Sequence, residues 1–148
     1  MTRPTIFLHT LDSAMAVAWR SAFTDVAGIY IVEGDILEGR CDAVVSKANS
    51  FGFMDGGIDL AYRQYFGMEL ESRVQAKIRS EFCGELPVGQ APVVPTGNET
   101  VPYLVAAPTM RIPDHIGDTV RHAERKRPSF LRLVVDNTAT GGGNERNI

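Results

Sequence analysis

The segment 33–59, EGDILEGRCDAVVSKANSFGFMDGGID, constrains the fold of this 148-residue chain more than any other part of it. It reads in unbroken order as strand end, acidic turn, strand, glycine-bearing loop and helix start. The apolar run 43–45 suits a strand buried on both faces, the habit of parallel strands lying between helices. It leads into Asn49, whose short side chain carries amide donors and a carbonyl acceptor. Gly56 and Gly57 then open a helix. Glycine lets the backbone approach a ligand closely, and the first free N–H groups of a helix, with its dipole, favour negative charge. Asp59 falls just inside that helix, where it could serve chemistry beside a phosphate or simply complement the dipole. On the residues alone two readings stand: a capped turn followed by a capped helix, or a diphosphate-binding loop.

The flanking sequence supplies the layers that such a strand needs. Residues 5–9 alternate as a strand, and Thr10, Asp12 or Ser13 can cap a following helix. In that helix Leu11, Met15, Ala18, Trp19 and Phe23 recur at helical spacing and are expected to form a buried stripe. Gly28 ends the helix and residues 29–32 make a second strand. Beyond Asp59, residues 60–66 read as helix, Gly67 interrupts, and Leu70, Val74 and Ile78 mark another helix ending near Phe82. Residues 93–94 and 103–107 follow as strands around a turn at 96–100. The expected architecture is α/β, three layers (α/β/α) with a mixed sheet between helices. One domain over residues 1–120 is expected, with 121–148 an atypical or truncated C-terminal segment containing a short strand at 131–135 and glycines 141–143.

Composition narrows the function classes. Fifteen Lys and Arg against eighteen Asp and Glu give a formal charge of -3, so a duplex nucleic-acid partner is not expected. Cys41 and Cys83 form neither a CxxC pair nor a Cys/His cluster, which argues against structural zinc and a disulfide framework and suggests a reduced, cytoplasmic setting. No window approaches eighteen apolar residues and the N-terminus lacks a signal-peptide core, so membrane insertion is not expected either. His9, His115 and His122 have no metal-ligand spacing, and the G-x-S-x-G elbow, the P-loop and the G-x-G-x-x-G fingerprint are absent. Neither metal nor cofactor is expected.

Four motifs in order decide between the two readings of the loop: GDI at 34–36, DAVVSKAN at 42–49, GGID at 56–59 and GELPVGQA at 84–91. With the strand pair APVVPTGNETVPYLVAAPTM, this set resembles the macrodomain family, the α/β modules that bind ADP-ribose. The resemblance covers residues 30–112. It implies that Asp35 accepts from the adenine amine with the Ile36 backbone beside it, and that Asn49 bonds the distal ribose. The amides of Gly56, Gly57 and Ile58 would line the diphosphate. Asn49 and Asp59 would be the catalytic pair, Asp59 orienting or activating a water against the anomeric carbon.

The sequence departs from the family pattern at specific places. Met54 and Asp55 precede only two glycines where the family often has four, Ser46 replaces a frequent Asn, and Arg63 lies one turn after Asp59, placed to pair with it. The implied partner is ADP-ribose, a related NAD-derived nucleotide or an ADP-ribosylated macromolecule, with release of ADP-ribose from modified targets as the implied reaction. The competing reading is a non-enzymatic scaffold of the same fold with Met54 or Asp55 filling the loop. An unrelated hydrolase acting through Cys83 or His115 is a third.

Overall fold

A computed structural model describes residues 4–112. In chain order the elements are β1 (Ile6–Thr10), α1 (Ser13–Ala22), β2 (Ile29–Glu33), β3 (Ala43–Ser46), α2 (Gly57–Phe66), α3 (Glu69–Phe82), β4 (Val93–Pro95) and β5 (Tyr103–Ala106). All the strands and helices expected before residue 112 are present within a residue or three of their anticipated bounds. The expected features at 121–148, including the strand at 131–135 and the glycines at 141–143, lie outside the described residues.

Strand pairing divides the described residues into two sheets. β1 and β2 pair in parallel, Ile6 opposite Ile29, through the crossover α1. β5 lies at the centre of a mixed sheet, parallel to β3 and antiparallel to β4. The β3–β5 ladder runs on past the strand ends, with Thr109 N donating to Ala48 O at 3.0 Å and Asn49 bridging Met110. This extension carries the chain straight from β3 into the glycine-bearing loop, so the loop begins on a fixed register.

Side-chain alternation sets which face of the mixed sheet is interior. Val44, Val94, Leu104 and Ala106 are at most 2% exposed and pack with Ile58, Tyr62, Leu70, Val74 and Ile78 of α2 and α3. The opposite face is more open, with Val93 and Tyr103 each 48% exposed. Burying a Leu or Ile side chain contributes about 1.5–3 kcal/mol, so the contacts between α2, α3 and the sheet form the main stabilising unit. Tyr62 adds a polar tie, its hydroxyl donating to Val45 O at 3.2 Å.

The helix α1 differs from expectation. Asp12 is its cap, accepting from Ala14 N and Met15 N, but only Ala16 is fully buried. Met15, Trp19 and Phe23 are half-buried, while Leu11 and Ala18 are exposed. Among the described residues α1 packs on the two strands β1 and β2, which leave most of its stripe uncovered. No helix among the described residues is long and apolar enough to cross a membrane.

Candidate functional site

The loop between β3 and α2 is held from both sides. Asn49, 5% exposed, uses its carbonyl oxygen to accept from Phe51 N and Phe53 N, both at 3.1 Å, and its amide donates to Phe53 O at 2.8 Å. One amide hydrogen is left over for another acceptor. Gly52 has φ +72°, and a Cβ there would lie 2.9 Å from Val74 Cγ1 and 3.0 Å from Ile78 Cδ1, so only glycine lets the loop press onto α3. Met54 is buried in the core at 2% exposure, and its amide donates to Glu71 Oε1 at 2.9 Å. Met54 therefore anchors the loop from below, and Asp55 points to solvent. Neither fills the loop.

Helix α2 begins with its donors open. Gly57 has φ +57°, a conformation suited to glycine, and a Cβ at Gly56 or Gly57 would meet nothing within 4 Å. Gly56 O accepts from Leu60 N, while the amides of Gly57, Ile58 and Asp59 have no acceptor among the described residues. Three unpaired donors and a helix dipole thus stand beside two exposed glycines, the arrangement that suits an anion. The Ile58 side chain is buried in the same core cluster as Ile36. That shared core brings the 34–38 turn and the α2 start under one scaffold.

At Asp59 the structure adds a contact that the sequence reading did not assign. The Ser46 hydroxyl at the end of β3 donates to Asp59 Oδ1, with Ser46 1% and Asp59 7% exposed. Burial pushes the Asp59 carboxyl above the ordinary carboxylate range; Ser46 and Lys47 pull it down and Asp55 adds to the rise. Strand alternation held the signal for this pair. Ser46 shares a face with Val44, toward α2, so its hydroxyl needs a partner there.

The expected pairing of Arg63 with Asp59 is absent. Arg63 Nη1 instead donates to Glu71 Oε2 at 2.7 Å, because the turn at Gly67 folds α3 back onto α2 and brings Glu71 to it. Glu71 is partly buried, which alone would raise its carboxyl, but the Met54 amide and Arg63 outweigh that and hold it below the usual range. Arg63 Nε is buried without a partner among the described residues.

Asp35 stands apart from this network. It is exposed, and its carboxylate accepts from Leu37 N at 2.9 Å, closing a local turn around Ile36, whose side chain is buried. Asn49, Gly56, Gly57, Ile58 and Asp59 lie on one continuous loop and helix start. Asp35 and Ile36 reach it through the common core rather than by a direct bond. Cys41 and Cys83 are both free thiols, one buried and one exposed.

The Macro domain family profile matches residues 45–137. The chain belongs to the macro domain family. An uncharacterised protein of Aquifex aeolicus is 33% identical over 123 residues, 78% of this chain and 71% of that protein. An Escherichia fergusonii protein named O-acetyl-ADP-ribose deacetylase is 31% identical over 96 residues, covering 64% of this chain and 53% of its own length. This macro domain thus spans about half of that curated relative. The macrodomain of Mycobacterium tuberculosis DarG superposes with a TM-score of 0.46 at 23% identity, over 63% of this chain and 66% of that one. The α/β class and mixed sheet expected from the sequence agree with this family membership.

Proposed function

We propose that this macro domain binds ADP-ribose, free or attached to a macromolecule, across the 34–38 turn and the start of α2. The observation that carries the reading is the set of amides at Gly57, Ile58 and Asp59 without an acceptor among the described residues, beside two uncrowded glycines. They offer a diphosphate oriented donors with no reorganisation. Asp35 accepts from the adenine amine beside the Ile36 backbone, and the free amide hydrogen of Asn49 reaches a ribose hydroxyl. Thermal unfolding tests this directly: a ligand that binds only the folded state raises Tm in proportion to the logarithm of its concentration. ADP-ribose is expected to raise Tm progressively, and an unchanged Tm at millimolar ADP-ribose would overturn the reading.

For catalysis the candidate is Asp59, whose carboxyl is raised above the ordinary carboxylate range by burial and whose Oδ1 accepts from Ser46. It would take a proton from water attacking the anomeric carbon. The bond from that carbon to the target breaks with its electron pair leaving on the target, and ADP-ribose departs. An ADP-ribosylated protein is expected to lose its label with the parent chain and keep it with Asp59→Asn. A specific observation also favours a binding module without turnover: Asp59 is 7% exposed and one of its oxygens is already occupied. Label retained by the parent chain alongside an ADP-ribose-dependent Tm would select that second reading.

A further inference from the structure

A cavity of about 370 Å³ opens on the flank of the loop, lined by Phe51, Phe53, Gln75, Ile78, Arg79 and Gly84. None of Asp35, Asn49, Gly56, Gly57 or Asp59 contributes to it, so it is separate from the proposed nucleotide site. Its volume falls in the lower part of the range of about 300–1,000 Å³ found for small-molecule pockets. Phe51 and Phe53 lie 6.4 Å apart with their planes inclined by 46°, an angled wall whose two rings do not stack on one another. Ile78 supplies an apolar floor, 1% exposed.

The charges around this wall are unequal. Arg111 sits over the Phe51 ring at 5.5 Å, but Glu85 neutralises it through contacts of 2.6 and 3.2 Å. Arg79, in the last turn of α3, has no carboxylate partner among the described residues; neighbouring Glu81 is taken by Lys77 at 2.6 Å. The helix C-terminus offsets part of the Arg79 charge but leaves its planar fork of donors open. Gln75 adds an uncharged donor and acceptor on the same helix face, four residues earlier.

We propose that this cavity is a second small-molecule site, one that takes a flat aromatic ring bearing a carboxylate or similar anionic group. The ring stacks against Phe51 or Phe53, and the anion pairs with Arg79 in the planar two-point geometry that guanidinium favours. The wall is preorganised, because Asn49 fixes the backbone of both phenylalanines.

The test is an amide chemical-shift titration of the chain with 2-naphthoate, with 2-naphthol as the uncharged control and no nucleotide present. Shifts are expected at residues 51–53, 75, 79 and 84, with naphthoate about five- to tenfold tighter than naphthol. Arg79→Gln, at an exposed position that leaves folding intact, removes that preference, and Phe53→Ala weakens both probes alike. Equal affinity for the two probes in the parent chain, or shifts confined to residues 56–59, would overturn the proposal. A chain that failed to bind ADP-ribose would leave this test unaffected.

Discussion

The β1–α1–β2 unit and the body made of β3, α2, α3, β4 and β5 bury their helices to very different depths. Ala16 is the one fully buried residue of α1, whereas α2 and α3 bury Ile58, Asp59, Tyr62, Leu70, Val74 and Ile78. Among the described residues the first unit has two strands on which to rest a helix, and the body has three strands shared by two helices. Every residue that shapes the loop, from Asn49 and Met54 to Asp59, belongs to the body. The proposed amide site lies where packing is dense, while the proposed adenine contact at Asp35 lies on the turn that follows the less buried unit.

The largest expected effect breaks that contrast at its root. Leu70→Ala in α3 should lower stability by about 2–5 kcal/mol through loss of burial and a residual cavity, while Val17→Ala in α1, at a position 63% exposed, stays within about 0.5 kcal/mol. Urea denaturation compares them, and similar losses would mean that the two units are equally tightly packed.

Two glycines with positive φ sharpen the comparison at the next level. Gly52 and Gly28 have φ of +72° and +86°, so alanine is strained at both. At Gly52 the new methyl also collides with Val74 and Ile78, whereas at Gly28 its nearest contact is an ordinary 3.5 Å to Pro4 O. Gly52→Ala is expected to cost about 1–3 kcal/mol more than Gly28→Ala by the overpacking term. It should also diminish the ADP-ribose-dependent rise in Tm, which Gly28→Ala leaves in place.

Smaller effects come from the buried carboxyl in the body. Because the folded value of Asp59 is raised, the folded chain keeps a proton that the unfolded chain releases near the ordinary carboxylate value of about 4. The Asp59 contribution to stability is therefore present at low pH and lost as pH rises from there through the folded value. The stability of Asp59→Asn relative to the parent should increase across that window in pH-dependent urea melts; a constant difference would mean that the carboxyl is not raised. Ser46→Ala removes a bond that lowers Asp59, so the acid limb of any label-release profile should move to higher pH. An unmoved limb would leave Ser46 with a packing role alone.

Much of this arrangement was legible in the chain. Helical spacing of Leu70, Val74 and Ile78, the break at Gly67 and the Gly56 and Gly57 helix start all follow from local rules, and each stands where those rules put it. The motifs at 34–36, 42–49 and 56–59 carried the family. What escaped was set by contacts between elements. Arg63 has Asp59 four residues before it on α2, but Glu71 arrives from α3 and takes the guanidinium. Met54 is a loop residue by sequence and a core residue by position, since the chain dips between two glycine-permitted bends. The α1 stripe was correctly periodic, yet periodicity does not state how wide a surface the helix will meet.

Isothermal titration of ADP-ribose into the parent chain and into Asp35→Ala is the direct test of the proposed nucleotide site. Saturable one-site heat is expected for the parent and an affinity about tenfold or more weaker for the variant, the scale of one lost charge-assisted hydrogen bond. No heat at millimolar ADP-ribose with the parent, or equal affinity in the two proteins, would contradict it.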